Sequence, residues 1–279
     1  MPLRKRRMIL QEIFRRYHRP EFISPDPLEF LLRYDDPLDR EIVGLIASSL
    51  AYGRVSQIIK SVDGVLKKIG GFPRAFLEGA GETMLKEIFS GFKHRFTTDS
   101  ELVDLLLGAQ RAVRRYGSLE ACFLAGLSRG DETTVPALSA FAREIRIRPG
   151  DGYSSLIPQP TKKSACKRLH LFLRWMVRSD EIDPGVWTGV SPAKLIVPLD
   201  THMHRICRSL DMTSRAQADM RTAREITEGF RRISPEDPVR YDFSLTRLGI
   251  RGEEDALPGI LERCTCPPGM RAQEGGCYG

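Results

Sequence analysis

Along much of the chain, apolar residues recur three and four positions apart, and short polar breaks rich in glycine, proline and aspartate separate the runs. Ile42, Leu45, Ile46, Ser49 and Leu50 share one face of a helix at this spacing. The run opens with Asp36, whose short carboxylate suits an N-cap, and Pro37, which suits the first helical position. Asp39 and Glu41 favour the first turn, and Gly53 is placed to close the element. Ile58, Ile59, Val62, Leu66 and Ile69 predict a helix over 55–69, stopped by Gly70-Gly71. Leu102, Leu105, Leu106, Ala109, Ala112 and Val113 predict another over 100–116, stopped by Gly117. Ser118 and Thr134 are candidate caps for shorter segments, and residues 148–163, rich in proline and glycine, read as a loop. Beyond the loop, Leu169, Phe172, Leu173 and Met176 predict a helix reaching Arg178. An apolar run, Leu195-Ile196-Val197, then delivers Pro198 and Asp200, which open a helix over 201–210. Two more are expected, over 219–232 and from Asp237-Pro238 to Gly249. Alternating strand pattern is scarce, so the fold class is all-α.

Composition narrows the class. A chain of 279 residues holds one or two domains at ~150 residues each. With 41% apolar and 28% charged residues it is neither disordered nor collagenous. No run approaches the ~18 apolar residues of a membrane span, so no membrane association is expected. The opening MPLRKRRMILQEIFRRYHRP lacks the apolar core of a secretory signal, which points to the cytoplasm. Six cysteines are too few for a disulfide scaffold of this size; Cys122, Cys166 and Cys207 read as small buried hydrophobes. The net charge of +7 is unevenly placed. Residues 1–20 carry +6, residues 161–178 carry another +6 through Lys162, Lys163, Lys167, Arg168, Arg174 and Arg178, and the rest sum to −5. Two solvated helix faces would account for such runs; the alternative is a nucleic-acid partner, with 161–178 facing a phosphate backbone, and the second run adjoins the stretch richest in candidate chemistry.

The second basic segment precedes the most informative stretch, LIVPLDTHMHRICRSL, residues 195–210. Asp200-Thr201-His202 with Arg205 resembles the motif of the helix-hairpin-helix DNA glycosylase superfamily, endonuclease III and its relatives. SACKRLHLFLRWMVR upstream and PEDPVRYDFSLTRLG downstream are similar to a bacterial branch of that superfamily. The resemblance spans roughly residues 30 to 250. It implies a two-lobed helical fold: a terminal lobe from 1–35 and 195–260, a helical-barrel lobe from 36–194 with a variant hairpin at 157–178, and a tail at 261–279. It also implies base-excision repair, carried out by a monomer on double-stranded DNA.

In this superfamily the aspartate matched by Asp200 is the essential carboxylate, which stabilises positive charge on the sugar as the base leaves. Asp200 is equally well placed as a helix N-cap, and the two roles are compatible. No lysine stands at the usual short distance before it. Lys167 lies 33 residues earlier, a spacing similar to that of archaeal 8-oxoguanine glycosylases, which implies an oxidised purine substrate and lyase activity through its amine. The usual glycine-rich hairpin is replaced by LIPQPTKKSACKR. Phosphate contacts would then rest on Lys162, Lys163, Ser164 and Arg168, and the missing glycines favour the alternative of a non-catalytic DNA- or RNA-binding module of the same fold. His202 and Arg205 are expected near the site. Tyr52 is the pocket candidate for stacking on an extruded base, ahead of Trp175 and Trp187. Asp242 suits a helix start, with orientation of Arg205 or Arg247 as its functional alternative. No cofactor or metal is expected. Cys264, Cys266 and Cys277 do not match a four-cysteine iron–sulfur pattern, and His202, His204 and Cys207 lack zinc spacing.

Overall fold

The structure is a computed structural model that describes residues 1–146, 156–160 and 164–250. Lys162, Lys163, most of the expected 148–163 loop, and the tail with Cys264, Cys266 and Cys277 lie outside the described residues.

The chain begins in α1 (Leu3–Tyr17), which buries Ile9, Leu10, Ile13 and Tyr17 on one face. A 3-10 helix at Pro27–Arg33 leads to α2 (Pro37–Ser49). Asp36 caps α2 as expected, its carboxylate accepting the N–H groups of Leu38 at 2.7 Å and Asp39 at 3.2 Å. Gly53 does not close this helix. α2 stops at Ser49, and Gly53 sits in the following turn at φ +98°, a conformation open to glycine. α3 (Val55–Ile69) has the predicted bounds. Two short helices not foreseen, α4 (Pro73–Gly79) and α5 (Glu82–Ile88), precede a two-stranded hairpin of β1 (Lys93–His94) and β2 (Thr97–Thr98). α6 (Asp99–Tyr116) starts in a capping box between Thr98 and Glu101. Ser118 caps α7 (Leu119–Leu124), whereas Thr134, at the start of α8 (Val135–Ile145), makes no side-chain cap.

α9 (Lys167–Val177), α10 (Thr201–Ser209) and α11 (Met220–Arg231) match their predicted segments to within a few residues. The last described helix, α12 (Asp242–Ile250), starts later than Asp237-Pro238 suggested. Asp237 instead takes a hydrogen bond from Arg178 Nε at 2.9 Å, and 237–241 form turns. The only strands among the described residues are β1 and β2, so the fold is all-α. No described helix is long and apolar enough to cross a membrane.

α2 packs on α9 and on the Pro27–Arg33 segment, α6 contacts α5, α7 and α8, and α12 rests on α1 and α10. Gly108 permits the close α6–α8 crossing, since a Cβ there would lie 1.7 Å from the Ile145 carbonyl oxygen. Trp175 and Trp187 are both core residues, so neither offers a stacking surface. Trp187 Nε1 donates to Glu41 Oε1 at 2.7 Å. Glu41 is itself buried and accepts the N–H groups of Leu119 at 2.9 Å and Glu120 at 2.8 Å. A carboxylate of α2 thereby satisfies the free N-terminal donors of α7. Burial pushes the Glu41 carboxyl up from its ordinary value, against the pull of those three donors.

Candidate functional site

α9 and α10 both begin at one cavity of about 520 Å³. Lys167 is the first residue of α9 and Asp200 is the N-cap of α10. Asp200 divides its carboxylate between two tasks. Oδ1 accepts the Met203 N–H at 2.8 Å and closes the helix start. Oδ2 faces Lys167 Nζ at 3.3 Å, with both side chains partly open to solvent. The expectation that Asp200 caps a helix therefore holds, and the cap leaves one oxygen directed at the lysine. A cation on the first residue of a helix sits at the unfavourable end of the dipole. Helix electrostatics alone therefore do not account for Lys167 at this position, and Asp200 supplies the compensating charge.

Several of the other expected residues gather around this pair. Ser164, Arg168, His202 and Tyr52 line the same cavity. Arg168 donates to the Ser49 carbonyl at 2.7 Å and lies over the Tyr52 ring, 4.8 Å from its centroid. Ser164 Oγ accepts the Cys166 N–H at 3.2 Å. Cys166 also lines the cavity, but burial pushes its thiol up to about 11, so it is protonated at neutral pH. Arg205 differs: it lies on the exposed face of α10, outside the cavity lining, with its guanidinium 3.5 Å from His202 Nδ1. His204 is buried on the opposite side of the helix, its Nε2 2.9 Å from the Arg215 carbonyl, so the two histidines do not converge. Among the described residues, no three of His, Cys, Asp and Glu gather as a metal-binding group.

The basic segment 161–178 is not a single phosphate-facing surface. Arg174 and Arg178 are buried in an internal ion network. Arg174 donates to Asp183 Oδ1 at 2.8 Å and to Asp242 Oδ2 at 2.5 Å. Arg178 donates to Asp180 at 2.7 Å, to Asp237 at 2.9 Å and to Asp183. Two of the segment's six cations therefore neutralise acids of the protein itself. A run of basic residues does not reveal this, because Asp242 lies 68 positions from Arg174.

The network reaches the cavity floor and brings in residues that sequence reasoning did not assign to the site. Lys167, Leu171 and Arg174 occur at i, i+4 and i+7, so one face of α9 runs from the cavity rim to its floor. That spacing was the available signal for Arg174. Across from it, α12 contributes Asp242, Thr246 and Arg247. Asp242 orients neither Arg205 nor Arg247. It is committed to Arg174, while Arg247 pairs with Asp26, another cavity residue. Asp242 is buried, and its Oδ1 has no hydrogen-bond partner. Burial pushes this carboxyl up; Arg174 opposes the shift and the charge of Asp200 adds to it.

No curated protein and no solved structure matches the chain significantly. Residues 26–251 match the family described as protein of unknown function, DUF2400, a span that holds every cavity-lining residue except Pro25. The chain therefore belongs to the DUF2400 family.

Proposed function

We propose that this protein is a DNA N-glycosylase of base-excision repair, acting as a cytoplasmic monomer. The observation that carries the reading is the 3.3 Å approach of Lys167 Nζ to Asp200 Oδ2 across 33 residues of sequence, in a cavity lined by both polar and apolar side chains. A glycosidic carbon is inaccessible to this attack inside the stack, so the target nucleotide has to swing out of the duplex into such a cavity. Two helix N-termini open there, a favourable environment for the phosphates that flank it. With the sugar between the two side chains, the Asp200 carboxylate stabilises the positive charge that develops as the base departs. Attack by the lysine forms an Nζ–C1′ bond as the C1′–N bond breaks, and the bonding electrons leave with the base. Lys167 first gives a proton to Asp200 and attacks as the neutral amine; that proton passes on to the departing base. A second amine proton, again carried by Asp200, goes to the ring oxygen as the C1′–O4′ bond opens, which leaves an iminium. The resemblance of the lysine–aspartate spacing to that of archaeal 8-oxoguanine glycosylases implies an oxidised purine as the base removed.

Borohydride reduces such an iminium to a stable covalent adduct. A lesion-bearing duplex should therefore be trapped on the wild-type protein and not on Lys167→Gln. An adduct that persists in that variant would move the nucleophile to another residue.

One observation favours a second reading, a nucleic-acid-binding module without chemistry: in the free protein Lys167 and Asp200 satisfy each other's charge. That reading predicts binding that falls steeply with salt but yields no released base from any lesion.

A further inference from the structure

Arg95 and Phe96 form the two-residue turn between β1 and β2. Phe96 is 78% exposed, more than any other large apolar side chain among the described residues. Arg95 holds φ +54°, in the left-handed region that residues other than glycine rarely occupy, so the tip keeps a strained shape. Its base is firmly mounted. His94 is buried, with Nδ1 2.8 Å from Ser61 Oγ and Nε2 3.1 Å from the Tyr52 carbonyl. Tyr52 Oη donates to the His94 carbonyl at 2.8 Å and stands 2.7 Å from Thr97 Oγ1. The Arg95 side chain crosses Gly53 so closely that a Cβ there would lie 2.6 Å from its Cδ. Tyr52 and Gly53 are both cavity-lining residues, so the hairpin tip is fixed to the cavity wall. The surroundings are basic. Lys93, Arg95 and Arg54 are exposed, while the acids that follow the hairpin in sequence are engaged: Asp99 accepts the Gly91 N–H at 2.9 Å and Glu101 the Thr98 N–H at 3.0 Å.

A single projecting aromatic ring among cations, held rigidly beside a cavity, suits a polyanion that offers flat apolar faces. We propose that Phe96 stacks on the nucleobases left unstacked when a neighbouring nucleotide enters the cavity, filling the gap in the duplex. The proposal rests on the nucleic-acid reading above, though not on base release. Basic side chains around the tip hold the backbone, and the ring makes a contact that any base can supply, so the interaction recognises a gap rather than a sequence.

The test uses the full chain and two DNA duplexes of one sequence, one intact and one with a central tetrahydrofuran abasic site, titrated by fluorescence anisotropy. The wild type should prefer the abasic duplex, and Phe96→Ala should lose about tenfold or more of its affinity for that duplex, with little change on the intact one. Phe96→Trp should keep the preference, with its emission quenched on binding. Because Phe96 is exposed, the melting temperature of Phe96→Ala should match the wild type and serves as the folding control. Equal weakening on both duplexes, or none, overturns the proposal while leaving the nucleic-acid reading intact. If the wild type binds neither duplex at low salt, both fall. If it prefers the gap through Phe96 but releases no base from lesion-bearing DNA, the glycosylase reading falls and this proposal stands.

Discussion

Arg174 Nη1 lies 2.5 Å from Asp242 Oδ2 at the floor of the cavity, two helical turns along α9 from Lys167. The same guanidinium holds Asp183, which is fully buried. Replacing Arg174 by methionine keeps most of the side-chain volume but leaves the buried Asp242 without its cation and Asp183 with Arg178 alone. Removal of one partner from a buried ion pair typically costs ~3–5 kcal/mol. Denaturant unfolding of Arg174→Met should show a loss of that order, and a loss below ~1 kcal/mol would contradict the network's role.

Glu41, which is not a cavity-lining residue, offers a second structural test. Its carboxylate accepts from Leu119 N–H, Glu120 N–H and Trp187 Nε1–H. Glu41→Ala would strand these donors, each at a cost of ~1–3 kcal/mol when buried. A destabilisation of at least ~3 kcal/mol is expected from chemical unfolding. Glu41→Gln keeps an acceptor oxygen but adds donors of its own, so it should fall between the wild type and alanine.

His170 sets an acid limit on stability. Its ring is buried and both nitrogens lack partners. Burial, with a contribution from Arg224, pulls its pKa down from 6.5 to about 3. Above pH ~6.5 the ring is neutral in folded and unfolded chains alike, so it adds no pH dependence. As pH falls below that value the unfolded chain takes up a proton that the fold refuses. This contributes a loss of up to ~1.4 kcal/mol per pH unit until about pH 3. The stability of His170→Leu relative to the wild type should therefore rise steadily from pH 7 to pH 4 in urea titrations. A pH-independent difference would show that the ring takes up its proton in the fold as readily as in the unfolded chain.

These cases also show which features could be read from the sequence. The helices 55–69 and 100–116 emerged with almost correct bounds, because periodic apolar residues and terminal glycines act locally. Lys167, Asp200, Ser164, Arg168, His202 and Tyr52 meet around one cavity, and each was singled out by motif or position. Asp242 does open a helix as its position suggests, but its pairing with Arg174 and the burial of Arg174 and Arg178 are not legible, because ion pairing depends on partners distant in sequence. The hairpin at Lys93–Thr98 escaped because strands of two residues are too short to show alternation. The start of α12 was misplaced because Asp237 is drawn to Arg178 rather than used as a cap.

The two roles of Asp200 can be separated by substitution. Asparagine caps helices about as well as aspartate but carries no negative charge, whereas alanine does neither. Thermal or denaturant unfolding should therefore place Asp200→Asn within ~0.5 kcal/mol of the wild type and Asp200→Ala about 1 kcal/mol below it. If asparagine proves as damaging as alanine, the ion pair with Lys167 outweighs the cap.

That separation makes Asp200→Asn the decisive variant for function. Base release should be followed under single-turnover conditions on a panel of lesion-bearing duplexes, oxidised purines foremost, with wild type and Asp200→Asn compared at equal folded concentration. The proposed glycosylase should release one class of damaged base, and Asp200→Asn should lower the rate by ~100-fold or more, as loss of a charge-stabilising group at the reacting centre does. Release of a base by both proteins at the same rate, or by neither from any duplex, would contradict it.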